Sequence, residues 1–180
     1  VGSPEEVEAS VDAAVSRFGG LTVLVNNAAP TYLMAPQNDK PPVDRLPPEM
    51  SLEDWELCLK LMLTGPTFLT CKYGVPELIK AGHGSVIQIS STQSIRATAS
   101  GVGYTAAKAA QNALMRHLAL HYAKHKIRCN SLALGYFPGP STEQAEGLDE
   151  IYRQNTPLGS GEGDDLAYLV IFLRRRKVAG

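Results

Sequence analysis

A tyrosine and a lysine stand four residues apart, Tyr104 and Lys108, near the start of the alanine-rich stretch SGVGYTAAKAAQNAL. On a helix, positions i and i+4 share one face, so both side chains project the same way. A free phenol titrates at about 10, too high for a base at neutral pH. A neighbouring ammonium favours the phenolate and lowers that value. A drop of about 3 units calls for roughly 4 kcal/mol of differential stabilisation, which a close, poorly hydrated lysine can supply. The phenol would then exchange a proton with an alcohol or carbonyl oxygen near neutral pH. The bland counterpart is an aromatic ring packed beneath a lysine stem, because a solitary Y-x-x-x-K is common by chance.

Two more polar groups sharpen the choice. Ser91 closes the apolar run VIQISS, thirteen residues before Tyr104, and NNAA, Asn26 to Ala29, closes LTVLVN. In an open parallel sheet, ligands bind where strands end. A serine hydroxyl at such an edge can donate to the oxygen that the tyrosine protonates. Short residues beside it let a flat ligand approach the backbone.

The elements that must position these residues follow from periodicity and punctuation. Ser3 reads as an N-cap with Pro4 at the first helical position and Glu6 closing a capping box. Val7, Val11, Ala14, Val15 and Phe18 mark one helical face, and Gly19-Gly20 ends it. LTVLVN reads as a buried strand, followed by a proline-rich loop over 27–50. Ser51 with Asp54 caps the next helix, which Gly65-Pro66 is expected to kink. HGSVIQIS is a second strand, a helix runs from about Val102 to His125, and KIRCNSLAL is a third strand. A helix around 148–154 and a last one, LAYLVIFLRRR, complete the chain. Alternating helices and strands predict an α/β fold, a doubly wound parallel sheet with helices on both faces, as one domain over 1–180.

Composition narrows the function classes. The chain has 180 residues, 44% hydrophobic and 19% charged, with a formal net charge of −1, so neither disorder nor a nucleic-acid or anionic-membrane partner is indicated. No apolar run is long enough to span a bilayer and no signal peptide is visible. Cys58, Cys71 and Cys129 are odd in number and sit in apolar runs, which points to reduced thiols and a cytoplasmic location.

With LVNNAA, VIQISS, YTAAK and IRCNSLALGYF in this order and spacing, the sequence resembles the short-chain dehydrogenase/reductase family over most of residues 1–173. The resemblance implies a Rossmann-like sheet and a nicotinamide-dependent oxidoreductase using NAD or NADP on a small carbonyl or alcohol. Tyr104 would be the proton donor or acceptor, Ser91 would orient the substrate oxygen, and Lys108 would hold the nicotinamide ribose and depress the tyrosine pKa. Asn26, Asn27, Ala28 and Ala29 would line the cofactor ribose, and Gly135, Tyr136 and Phe137 would flank the nicotinamide. A homodimer or homotetramer is implied, seated partly on the tyrosine–lysine helix.

The pattern has departures. The family's first strands, its glycine-rich turn and its last strand have no counterpart in these residues. Met62 stands where the family usually has an asparagine that holds a proton-relay water. Leu134-Gly135 replaces Pro-Gly, and Gly139 stands at an expected threonine. These leave room for an alternative, a non-catalytic truncated or degenerate chain that keeps only fold and subunit contacts. GVGYTA fits G-x-G-x-x-A but follows no strand directly, and GSGEGDD has Asp164 at the third glycine, so neither reads as a pyrophosphate loop. His117, His121 and His125 form a stripe that suits a surface or subunit contact better than a metal, for want of a further ligand. Trp55, Leu59 and Leu63 read as core or subunit contact, and RRRK as a solvated tail. The loops 27–50 and 135–160 are candidate covers for the substrate, with Tyr32, Met34, Tyr136 and Phe137 hinting at an apolar wall. LTVLVN is expected to present an exposed edge.

Overall fold

The structure, a computed structural model, describes residues 2–34, 41–96, 101–138, 154 and 156–175. Helix α1 (Pro4–Phe18) begins with Pro4, whose missing N–H costs nothing there, and ends on Gly19, whose N–H donates to the Val15 carbonyl at 2.8 Å and whose φ of 80° turns the chain out of the helix. The expected capping box with Glu6 does not form. The Ser3 hydroxyl donates to the Glu5 carboxylate instead of accepting from the helix.

Strand β1 is shorter than its apolar run, Val23–Asn26. Helix α2 (Leu52–Leu59) starts at Ser51, whose Oγ accepts the Asp54 N–H at 3.0 Å. The expected kink at Gly65-Pro66 takes another form. A π-helical segment, Lys60–Leu69, carries Pro66 inside it and continues directly into α3 (Thr70–Lys80). Widening the helix here accommodates a residue that has no N–H to give. The Thr70 hydroxyl donates to the Pro66 and Thr67 carbonyls at 3.1 and 3.0 Å.

Strand β2 (Gly84–Ser91) is buried along its whole length, as a central parallel strand should be. It pairs in parallel with β1 through Val23↔Ser85 to Asn26↔Gln88, and with β3 (Ile127–Leu134) through Gly84↔Ile127 to Ser91↔Leu134. The order among the described residues is β1-β2-β3. Between β2 and β3 runs α4 (Val102–Tyr122), and the last helix is α5 (Gly163–Arg174).

Pleat alternation sorts the core into two layers. Val86 packs with Cys71, Val75 and Leu78 from α3 and Met115 from α4. On the other face, Ile87, Ile89 and Leu132 pack with Leu166, Val170 and Leu173 from α5. The sheet is therefore covered on both faces, as a doubly wound fold requires. Coverage thins at β1, where Val25 is 43% exposed. The end of α5 is tied down by Arg128, whose Nη2 donates to the Leu173 and Arg175 carbonyls at 2.6 Å each, a cation placed at the negative end of a helix.

The helix expected around 148–154 lies outside the described residues except for Gln154, as do residue 139 and the tail beyond 175.

Candidate active site

Parallel pairing brings the ends of all three strands to one edge, with Asn26 ending β1, Ser91 ending β2 and Gly135 following β3. Ser91 is buried, and its Oγ accepts the Gln93 N–H at 3.2 Å. A chain of side chains fixes the backbone there. The Ser131 hydroxyl on β3 donates to Asn112 Oδ1 on α4, Asn112 Nδ2 donates to Ser94 Oγ at 2.6 Å, and the Ser94 hydroxyl donates to the Ser91 carbonyl.

Helix α4 lies against this edge. The Ser90 hydroxyl donates to the Lys108 carbonyl at 3.1 Å. Lys108 is only 4% exposed, and its Nζ donates to the Ile89 carbonyl at 2.8 Å, two residues before Ser91. The same nitrogen sits 5.4 Å from the centroid of the Tyr104 ring. Burial pulls the ammonium down from 10.5 to about 8, because the charged form loses its water. Tyr104 itself is half-buried. The structure thus places the Lys108 nitrogen against both the Tyr104 ring and the end of β2.

The start of α4 has no local cap. Gly101 is the N-cap and offers no side chain. The carboxylate of Asp44, from the proline-rich loop, takes that place and accepts the Gly103 and Tyr104 N–H groups at 2.8 and 2.7 Å. Sequence reading missed this residue. The available signal was the bare helix start, which demands an acceptor from elsewhere. Nothing local in the sequence says which of the distant carboxylates supplies it.

The other expected residues are distributed differently. Asn26 points into the protein. It is 3% exposed, its Nδ2 donates to Cys71 Sγ at 3.8 Å, and its Oδ1 has no hydrogen-bond partner among the described residues. Asn27 and Ala28 are exposed at the edge, with Ala29 half-buried. Gly135 is exposed, Tyr136 buried and Phe137 half-buried, and the Tyr136 carbonyl accepts the Gly161 N–H at 2.9 Å. The Met62 carbonyl accepts from Gln111 Nε2 at 2.7 Å, inside the core.

The histidine stripe is interrupted. α4 stops at Tyr122 and His125 falls in a 3-10 turn, so three histidines do not share a continuous helical face. His117 and His121 stack with centroids 4.0 Å apart, and His121 Nδ1 lies 2.9 Å from the His117 carbonyl. Among the described residues no group of three His, Cys, Asp or Glu could hold a metal. No described helix is long and apolar enough to cross a membrane. All three cysteines are free, with Cys58 and Cys71 buried and Cys129 half-buried. Burial raises their thiols to about 11, 11 and 12, which favours the protonated form.

A family model described as enoyl-(acyl carrier protein) reductase matches residues 1–179. A 3-alpha-(or 20-beta)-hydroxysteroid dehydrogenase of Mycobacterium bovis is 34% identical over 174 residues, covering 96% of this chain and 61% of that protein. The chain belongs to the short-chain dehydrogenase/reductase family. Among solved structures, gluconate 5-dehydrogenase from Burkholderia cenocepacia, in complex with NADP and tartrate, superposes with a TM-score of 0.80 at 26% identity, over 97% of this chain and 66% of that one. A short-chain type dehydrogenase/reductase from Mycobacterium marinum gives 0.85 at 23% identity over 97% and 66%, a likeness of fold. The chain therefore spans 61% of the length of the hydroxysteroid relative. Within the short-chain dehydrogenase/reductase frame, Met62 keeps its backbone carbonyl turned to α4 but bound by Gln111, and Gly103 of GVGYTA gives its N–H to the Asp44 carboxylate.

Proposed function

We propose that this chain carries the catalytic residues of an NAD(P)-dependent oxidoreductase acting on a small carbonyl or alcohol. The observation that carries the reading is the buried Lys108 ammonium, 5.4 Å from the Tyr104 ring and hydrogen-bonded to β2 two residues before Ser91. At neutral pH a group titrating at about 8 is mostly cationic, and a positive charge beside the ring eases proton exchange at the phenol oxygen. Ser91 holds the substrate oxygen from the strand end, and its backbone is fixed by Ser94 and Asn112.

A nicotinamide cofactor fits the polar atoms present. Lys108 has three N–H donors, one of them spent on Ile89, and a ribose diol would take others. Asn27 and Ala28 leave the β1 end open to it, and Gly135 has open space where a Cβ would stand. Asn26 would act from behind the strand rather than by contact. The bound cofactor supplies the hydride; the chain supplies position and electrostatics.

The same reading assigns a second copy of the chain to the apolar groove of about 780 Å³ between α2 and α4, lined by Leu46, Met50, Trp55, Val102 and Ala106. Exposed Leu46 and Leu52 at its rim support a homodimer or homotetramer, measurable by sedimentation. The free thiols support a cytoplasmic location.

The test is oxidation of NADH and NADPH by the full-length polypeptide against a panel of small ketones and aldehydes. Turnover that depends on Tyr104 supports the proposal. A second reading, a non-catalytic member, draws on Met62 at the position of the relay asparagine, its backbone carbonyl already accepting from Gln111. A full-length protein that binds neither NADH nor NADPH in titration would favour that reading.

A further inference from the structure

We propose that Asp44 is the positioning residue of Tyr104, and that Gly101 and Gly103 are glycines because the Asp44 carboxylate must reach the backbone beside them. The inference rests on the redox reading above, and adds a residue fifty-nine and sixty positions away to it.

The first N–H groups of any helix lack an intrahelical acceptor. A Ser, Thr, Asp or Asn at the N-cap normally accepts from the second or third helical amide. α4 has Gly101 there, and the bond is made from a distance by a carboxylate that is itself 4% exposed. Its two oxygens take the second and third helical amides, one oxygen each. The third is the amide of Tyr104. Hydrogen bonds to an ionised acceptor are short and strong, and a carboxylate suits the positive end of a helix.

The space for it is cut by absent side chains. A Cβ on residue 101 would lie 2.1 Å from the Asp44 Cγ. One on residue 103 would lie 3.2 Å from Asp44 Oδ1 and 2.7 Å from the Cys58 Cβ. The glycines that resemble a phosphate-loop motif are thus accounted for by a protein carboxylate.

Asp44 is in turn held. Its own N–H donates to the Leu33 carbonyl at 3.0 Å, and the next carbonyl, of Arg45, accepts the Val102 N–H at 3.4 Å. The Arg45 guanidinium pairs with Asp54 of α2 at 2.8 Å. One short segment of the loop therefore locks α2 to the first turn of α4, with Tyr104 as the residue gripped. Releasing the grip frees that turn to fray and displaces the phenol, and misplacement by about 1 Å can cost on the order of 100-fold in rate.

The experiment compares Asp44→Ala, Asp44→Asn and the core control Leu78→Ala in the full-length enzyme, reading kcat, KM for cofactor and amide exchange. Expected for Asp44→Ala is a fall in kcat of about 100-fold with KM for cofactor within about 3-fold, the signature of lost transition-state positioning. Exchange should quicken at Gly103 and Tyr104 and stay slow in the second half of α4. Asp44→Asn keeps one acceptor oxygen and should recover kcat to within about 10-fold of the parent. If Asp44→Ala does not fold, Asp44→Asn decides alone: parental kcat with unchanged exchange at Gly103 and Tyr104 overturns the inference, and a partial loss with faster exchange there supports it. A Leu78→Ala enzyme that loses as much kcat at equal loss of melting temperature reduces Asp44 to a stability role and also overturns it. Failure of the redox reading looks different: the parent enzyme would then show no turnover, or Tyr104→Phe would keep it, while amide exchange at Gly103 and Tyr104 in the Asp44 variants still reads the grip itself.

Discussion

The two ends of α4 carry the same kind of sequence pattern and differ in everything that makes a site. At the front, Tyr104 and Lys108 stand four apart; at the back, His117 and His121 do the same. The front pair is engaged by distant parts of the chain. Lys108 reaches the Ile89 carbonyl, and the Tyr104 amide is held by Asp44. The rear pair is exposed and, among the described residues, bonds within its own helix. The lesson is that spacing supplies a shared face, whereas burial and long-range partners supply perturbed chemistry. Desolvation brings Lys108 to about 8, within reach of neutral pH.

That contrast can be broken by substitution. The largest effect is expected for Tyr104→Phe, which removes the exchangeable proton and keeps the ring. Turnover should fall by about 1,000-fold or more, with cofactor affinity changed little, as read by steady-state kinetics and fluorescence titration. A Phe enzyme with parental turnover would place the front end of α4 in the same class as the rear.

Next comes Lys108→Met. It should abolish most turnover yet leave the fold at least as stable at neutral pH. The sign follows from linkage. The folded-state value is depressed from 10.5 to about 8, so the unfolded chain holds more protons between those values and stability climbs with pH there. Below about 8 the burial penalty is present in full, and above 10.5 it is gone. Removing the amine should therefore stabilise on the order of 1–3 kcal/mol at neutral pH, less whatever the orphaned Ile89 carbonyl costs, with the gain shrinking across that window. Urea denaturation at several pH values measures it, and a gain that grew with pH would contradict the desolvation account.

A control of intermediate size lies away from both ends. Leu78, fully buried between α3 and the sheet, should cost about 2–5 kcal/mol as Leu78→Ala while the kcat of the folded enzyme stays within about 2-fold. The smallest effect is expected at the rear, where His121→Ala should change stability by about 0.5 kcal/mol or less and leave turnover unchanged. A large loss there would mean that the histidines face a partner or a ligand.

Much of the framework was legible because its signals are local. The Gly19 stop, the Ser51 cap and the three apolar runs ending at Asn26, Ser91 and Leu134 all emerged where periodicity put them. The misreadings share one cause, competition between nearby partners of similar strength. Ser3 turned to Glu5 rather than to the helix, and the Pro66 defect spread into a π-helical segment instead of a sharp bend. Of the proposed site, Tyr104, Lys108 and Ser91 are the residues that spacing puts forward. Asp44, Asn112 and Gln111 could not, because each acts on a partner 18 to 60 residues away.

The sequence by itself determined which segments are strands and helices, the shared face of Tyr104 and Lys108, and the parallel order that sends three strand ends to one edge. These depend on interactions within one or two turns of the chain, or on hydrophobic alternation summed over a segment. Only the tertiary structure decided that Lys108 is dry, that Asn26 turns inward, and that a carboxylate from the proline-rich loop grips the tyrosine's own amide. Desolvation and capping from a distance are properties of packed surfaces, and they exist only after remote segments have come together.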